Sequence, residues 1–567
     1  MQRHPSIAGL GLISACLLTA SPVVAAPPAE PVPPRYPEGA EVPRHLTEEE
    51  REWVRRHPIT APGAEEVGLR GVAGAPEGPI WCPPEYAPME GILIAWEGSA
   101  AWLQLLTTIT REITAGRPGG GGYGDVWVVV DTASEQTSAA AQLAAGGADM
   151  SRVRFVVRTT DTIWIRDYGP RYIYQGQVRA IVNHTYNRPR PADNAFAPYY
   201  GTVRRHNVYN IPLVHGGGNF HLDALGRGYA TGLIVNENPS LSEGQIVGLW
   251  QAFQNLATHI FTPYPSSVDS TQHLDMWMQV AGDDVVLVSD FISNGTAAQN
   301  AARDAANAGA AYMAANGYTV HRLPARNIGG THYTYTNVVM CNGVVLVPQY
   351  SQATMVQHNA EALATWQAAL PDWRIVGINC DAIVTSAGVM HCIVMHVPAH
   401  LGGQSPTAFL RTLRGGETLT PGSNVFIRWG ADDDRGVTSV RLLLSHDGGQ
   451  TYATEIASGL AHGGSYTWNV PDRFIRRAKV RVVVEDADGN TGYDESPETF
   501  RIAGSCTADW SGDGSVNSSD ISEFLTTWLE SVGAGDLEGD FDGDMAVNST
   551  DISAFLSSWL DAVTGGC

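Results

Sequence analysis

Between about residue 81 and residue 403, short apolar runs alternate with Ala-rich stretches, and this alternation limits the fold more than any other feature of the chain. Val126–Val130, Val153–Val157, Val285–Val288 and Val344–Val347 have the length and β-branching of strands. Ser138–Ala145, Ala297–Ala315 and Ala360–Ala369 read as the helices between them. The pattern predicts an α/β architecture, and its recurrence every ~50–70 residues points to repeated modules. With 567 residues the chain is too long for a single core, so further domains are expected. Over residues ~405–502 the helices vanish. "SNVFIRWGADDD", "VTSVRLLLSHDGGQTY", "GSYTWNV" and "AKVRVVVEDADGN" are alternating strands bounded by Asp-Gly and Asp-Asp turns, the pattern of an immunoglobulin-like β-sandwich.

The end of the chain is a tandem duplication. "DWSGDGSVNSSDISEFLTTWL" from Asp509 returns as "DFDGDMAVNSTDISAFLSSWL" from Asp540. A calcium loop needs oxygen ligands at alternate positions and a carboxylate where the exit helix begins. The first copy offers Asp509, Ser511, Asp513, the Ser515 carbonyl and Asp520; the second offers Asp540, Asp542, Asp544, the Ala546 carbonyl and Asp551. The pair resembles a type I dockerin, an EF-hand-like α module, which implies Ca2+ and a cohesin-like docking partner. Met545 replaces the turn glycine, Gly514 in the first copy, so the second site is expected to bind more weakly. Cys506 and Cys567 bracket the module in positions that suit a disulfide closing its small core.

At the other end, Arg3 and His4 precede an apolar run from Ile7 to Leu18 and small residues up to Ala26, the form of an export signal. Ile13-Ser14-Ala15-Cys16 resembles a lipobox, but the apolar run continues past Cys16, which favours cleavage. A secreted or periplasmic protein, cell-surface associated through its C-terminal module, is expected. The Pro-rich residues 27–75 read as a linker or pro-segment with one short helix around Thr47 to Arg56, order beginning near Trp81. A net charge of -23 argues against a nucleic-acid partner and favours cationic ligands. Without the signal six cysteines remain, an even number that in an oxidising compartment invites disulfides.

Three segments carry chemistry. Ile163–Pro170 supplies Asp167 beside Trp164; Gln272–Trp277 supplies His273 and Asp275, two apart and so on one face if the segment is a strand; Gly388–Val394 supplies Cys392. A planar guanidinium cation with five N–H donors calls for paired carboxylates to hold it, a thiolate to attack its carbon and a histidine to protonate the departing ammonia.

Together, WxRDxGP at Trp164–Pro170, HxD at His273–Asp275, YxN at Tyr335–Asn337 and HC-I at His391–Ile393 resemble the agmatine deiminase and bacterial peptidylarginine deiminase family. The resemblance implies a five-bladed pseudosymmetric α/β propeller with an axial active site and no catalytic cofactor. It further implies Cys392 as nucleophile, His273 as general acid/base, Asp167 and Asp275 as the guanidinium clamp, Asn337 completing the arrangement and Trp164 bordering the side-chain tunnel. Cys341 and Cys380 are read as core cysteines.

Asn187-Arg188-Pro189-Arg190 resembles the loop with which secreted bacterial peptidylarginine deiminase holds a C-terminal carboxylate, and His215 stands where agmatine deiminases usually carry Glu. The expected function is deimination of arginine in peptides or proteins, C-terminal arginine above all. Agmatine deimination to N-carbamoylputrescine is the alternative. An amidinotransferase would use an amine in place of water, and an inactive calcium-dependent scaffold or adhesion protein is the reading from another class. The expected partition is signal 1–26, linker 27–75, catalytic domain 76–403, sandwich 404–503 and calcium module 504–567.

Overall fold

The computed structural model describes residues 32–64, 74–117, 121–503, 506–535 and 537–565. The expected signal, Cys16 and Cys567 lie outside them. Among the described residues no helix is long and apolar enough to cross a membrane.

The alternation seen in the sequence is one unit repeated five times among the described residues. In each unit an antiparallel strand pair leads through a helical crossover to a third strand, parallel to the second. The strand triplets are Arg171–Gln175, Val178–Tyr186 and Asn207–His215; His221–Leu222, Arg227–Thr231 and Ala257–Phe261; Met278–Val280, Val285–Phe291 and Thr319–Ile328; and Val339–Cys341, Val344–Gln349 and Arg374–Asn379. In the fifth unit the first strand comes from the far end of the region. Met395–Pro398 pairs antiparallel with Met89–Ala95, which lies parallel to Asp125–Val130. The last strand of the region is thereby locked to the first large one.

Local signals explain the crossovers. The Ala297–Ala315 helix starts where the Thr296 side chain accepts the Gln299 N–H, and a capping box of Ser242 and Gln245 starts Glu243–Gln254. Gly309 lets the first of these helices lie against Trp277, since a Cβ there would fall 2.8 Å from the indole ring. Strand centres such as Val286, Val288, Val345 and Val347 are fully buried, because helices and neighbouring units cover both faces.

Beyond residue 403, a three-stranded and a six-stranded sheet share one core that includes Ile427, Trp429, Leu442 and Val482. Burial alternates along Ile475–Asp486, the period-two signature of a sheet with one covered face. Buried Arg179 ties this region to the α/β units through Asp432, at 2.8 and 3.0 Å, and Glu90, at 2.7 Å. The helices Ser518–Ala534 and Ser549–Gly565 follow the two acidic loops and meet at stacked Phe524 and Phe555, with Trp510 and Phe474 around them.

Two expectations need correction. Ordered structure starts well before Trp81, because residues 32–64 pack on the α/β units. The short helix runs Glu48–Arg56, held by a capping box between Thr47 and Glu50. Disulfides also play a smaller part than the cysteine count suggested. Cys82, Cys341, Cys380 and Cys392 are free and buried, while Cys506 is disulfide-bonded. Burial pushes the Cys341 thiol up to about 12 and Cys380 higher still, so both are inert core groups.

Candidate active site

The five units place their chemistry at equivalent points. Asp167, Gly218, Asp275, Asn337 and Cys392 each lie in the segment leading into the first strand of a unit, within a few residues of it. These lead-ins converge. Asp167, His273, Asp275, Asn337 and Cys392 are all fully buried; Asn337 and Asp275 surround Cys392, and His273 Nδ1 lies 3.5 Å from Asp167. His273 and Asp275 converge without a strand: His273 caps a single 3-10 turn, Leu274–Met276, and the turn, not a pleat, brings both side chains inward.

Around the thiol, Asn337 Nδ2 lies 3.2 Å from Cys392 Sγ, the Val389 N–H 3.4 Å away and Asp275 Oδ2 3.6 Å away. Asn337 Oδ1 accepts the His391 N–H at 3.0 Å and so fixes the turn that carries the cysteine. Burial, aided by Asp275 and Asp167, holds the thiol well above its usual range, whereas a guanidinium in the site draws it down. The cation thus works against the burial, which still holds the thiol above its ordinary value.

The site holds such a cation, and it belongs to the chain itself. Arg44, from the segment expected to be a linker, is fully buried here. Its Nε and Nη2 donate to Asp167 Oδ2 and Oδ1 at 2.9 and 2.8 Å, and its Nη1 and Nη2 to Asp275 Oδ1 and Oδ2 at 3.1 and 3.0 Å. Nη1 lies 2.6 Å from Cys392 Sγ and Nη2 2.8 Å from His273 Nδ1. Two bidentate carboxylates thus grip one planar fork while sulfur and imidazole face its nitrogens. Burial on its own would raise both acids, but Arg44 and the neighbouring histidines hold Asp167 and Asp275 far below the usual carboxylate range. Burial and Arg44 depress His273.

The pocket is cut to this shape by two glycines. A Cβ on Gly218 would fall 1.9 Å from Arg44 Nη2, and the Gly218 N–H donates to Asp167 Oδ1 at 3.0 Å. A Cβ on Gly388 would meet Trp164 at 2.5 Å and Arg44 Cδ at 3.2 Å, so Trp164 and Gly388 wall the aliphatic stem. At the mouth Arg188 Nε donates to the Arg44 carbonyl at 3.1 Å. Arg190 pairs with buried Glu50 at 2.8 Å and donates to the Pro43 carbonyl at 2.7 Å.

Sequence reasoning missed Arg44, both pocket glycines and a buried relay behind the acids. His391 bridges Asp275 Oδ2 and Glu85 Oε1, at 2.9 Å each, and Arg166 donates to Glu85 at 2.7 Å. His391 stands in the HC-I motif at His391–Ile393, which marked its place but not its bridge between Asp275 and Glu85.

The two C-terminal acidic loops are preorganised. Asp509 accepts the Asp513 and Gly514 N–H groups, and Asp520 those of Ser511 and Asn517. In the second loop Asp540 accepts from Gly543 and Met545, and Asp551 from Phe541, Asp542 and Asn548. The Ser515 and Ala546 carbonyls accept from the Asn517 and Asn548 amides. Carboxylate oxygens of Asp540, Asp542 and Asp544 come within 4.8 Å of one another, a convergence of anions that fits a bound cation. Met545 takes the glycine's left-handed conformation, with φ at 67° against 87° for Gly514.

A Marinomonas sp. protein provisionally named an agmatine deiminase is 24% identical over 56% of this chain and 94% of its own length. The agmatine deiminase of Ectopseudomonas mendocina is 25% identical over 45% of this chain and 79% of its own. The structure of the Enterococcus faecalis agmatine deiminase matches 61% of this chain and 99% of that one, with 19% identity and a TM-score of 0.49. The sequence profile of the Porphyromonas-type peptidyl-arginine deiminases matches residues 81–398, and the chain belongs to that family of guanidine-hydrolysing enzymes.

Proposed function

We propose that the chain deiminates arginine within polypeptides, giving citrulline and ammonia, with a preference for arginine at a C-terminus. The observation that carries this reading is the seating of Arg44, a peptidyl arginine whose fork meets two acids, a thiol and an imidazole while its carbonyl meets Arg188. The cation lowers the thiol's proton affinity, and the Cys392 thiolate adds to the guanidinium carbon. His273 protonates the departing Nη2, ammonia leaves, and an S-alkylthiouronium remains. Water, its proton taken by His273, then displaces the thiolate. Asp167 and Asp275 stay ionised throughout and hold the plane of the substrate, and Asn337 positions the sulfur. None of these steps calls on a cofactor. In this reading the five units are the blades of a propeller with the cluster on its axis.

A C-terminal carboxylate suits the two cations Arg188 and Arg190, and Glu50 offers Arg190 such a group. Agmatine suits the mouth poorly, since its far ammonium would meet the same cations. Nor does His215 supply the negative charge of a carboxylate to pair with that ammonium, since burial and neighbouring cations keep its imidazole neutral. The agmatine reading is supported by the names of the curated relatives. Turnover of four substrates separates the two: a peptide ending in free arginine, its amidated form, free arginine and agmatine. Fast turnover of agmatine alone overturns the proposal. Cys392→Ala is expected to abolish citrulline formation from every substrate, and residual turnover in that variant refutes the nucleophile. We further propose that the protein is exported, that Ca2+ fills the two acidic loops and that the module they form docks to a cohesin-like partner.

A further inference from the structure

We propose that Arg44 is a self-modification site: the active centre deiminates this residue in its own chain, and the product frees the site. The proposal rests on the deiminase reading above and adds a substrate to it. Other arginines of the same segment stay outside, with the side chains of Arg51, Arg55 and Arg56 each more than half exposed. Arg44 alone among them is fully buried, and its surroundings match the demands of the reaction atom by atom.

Nη2 carries two protons and faces three partners, Asp167 Oδ1, Asp275 Oδ2 and His273 Nδ1, at 2.8 to 3.0 Å. The nitrogen beside the general acid is thus already in the place of the leaving group. Cys392 Sγ, against Nη1 on the other side of the fork, yields its proton to His273 and bonds to Cζ as the Cζ–Nη2 bond breaks. Nη2 departs as ammonia with the proton from His273. Water then adds to Cζ, the C–S bond breaks, and an oxygen stands where Nη2 stood. The sum is the arginine cation plus water giving neutral citrulline plus ammonium, with no other reactant.

The main chain is held as a bound peptide would be. The Arg44 N–H donates to the Ser386 carbonyl at 2.9 Å, the Val42 carbonyl accepts from the Trp164 indole at 2.8 Å, and Arg188 and Arg190 hold the Arg44 and Pro43 carbonyls. These contacts hold the main chain at Val42, Pro43 and Arg44, so the segment is bound as a peptide and the side chain is not lodged alone. An occupant tethered in this way competes at an effective concentration of about a millimolar or more, and added substrate is largely excluded until it leaves.

Conversion supplies the reason to leave. The charge disappears, and a ureido oxygen now faces two carboxylate oxygens where an N–H donor stood. Acceptor against acceptor in a buried site is unfavourable, and neither acid keeps its bidentate partner.

The test uses the full chain, with Cys392→Ala and Arg44→Ala variants. Peptide mapping by mass spectrometry follows Arg44 over time, and turnover of a peptide ending in free arginine is recorded in parallel. Citrulline is expected at residue 44 in the native chain and absent from Cys392→Ala, appearing at a rate independent of protein concentration. Peptide turnover should start at least ~10-fold below its final rate and rise as residue 44 converts, whereas Arg44→Ala should show no lag. A chain that turns over peptide while Arg44 stays arginine overturns the proposal and leaves the deiminase reading intact. Conversion that accelerates with protein concentration overturns it as well, because the reaction is then between molecules. Absence of both reactions overturns the two readings together.

Discussion

Replacing Gly218 by alanine should disable the site without touching any group that reacts. Its backbone lies outside the left-handed region, so alanine is not strained there. The added methyl, however, would stand 1.9 Å from the guanidinium Nη2, 2.6 Å from Asp275 Oδ2 and 2.9 Å from Asp167 Oδ1. Ordinary contact needs about 3.5 Å, so the cation must withdraw by more than an ångström or the acids must splay. A displacement of ~1 Å at a reacting centre costs about 10²-fold. A weakened charge-assisted hydrogen bond adds ~1.5–3 kcal/mol, about another tenfold or more. The expected fall in kcat/KM is about 10³- to 10⁴-fold, or about 4–6 kcal/mol of transition-state stabilisation. Colorimetric citrulline release from a peptide ending in free arginine measures it, with both proteins carrying Arg44→Ala so that the segment does not compete. The melting temperature should stay within a few degrees of the parent. Turnover within threefold of the parent would refute the argument that this glycine shapes the guanidinium pocket.

Other outcomes follow from single contacts. Arg166, His391 and His396 hold Glu85 ionised against the burial that would raise it. Glu85→Gln should therefore loosen His391 and Asp275, lowering kcat about 10- to 100-fold with a smaller change in KM, as measured by steady-state kinetics. Burial lifts the Glu237 carboxyl to about 7 against the pull of Arg188 and the Asn187 amide. The folded state then binds the extra proton, so this stabilisation is complete below the unfolded pKa near 4.5 and is lost as pH rises through about 7. Glu237→Gln should flatten the pH dependence of the thermal midpoint across that window. In the second acidic loop the left-handed Met545 costs about 1 kcal/mol. Met545→Gly is expected to tighten Ca2+ binding there by about fivefold in calorimetry, and an unchanged affinity would exclude backbone strain as the cause of weakness.

Much of the fold was legible because it is written in period and length. The Ala297–Ala315 helix and the Val153–Val157 strand have the bounds that the sequence suggested, since the apolar pattern begins and ends sharply at both. The site's principal groups were legible for another reason: each sits in a dense motif next to a lead-in turn. Arg44 left no such mark. It stands in a Pro-rich stretch without periodicity, and its burial depends on carboxylates 123 and 231 residues further on. Gly218 and Gly388 gave equally little away, because a missing side chain declares its purpose only when the neighbour that fills the space is known. His273 and Asp275 reached the right place through a turn where the spacing had suggested a strand, a reminder that two residues can share a destination without sharing a pleat.

The pairing of Met395–Pro398 with Met89–Ala95 has a consequence for when the enzyme can first act. The sulfur rides three residues ahead of that latch, while the acids it needs are set much earlier along the chain. A molecule still being synthesised, or one whose final strand has peeled away, holds its anions and its imidazole but carries Cys392 at large. Within the α/β units reactivity therefore arrives last, in the same event that closes them, and loosening either end of this one strand pair should silence the chemistry before the rest of the protein unfolds.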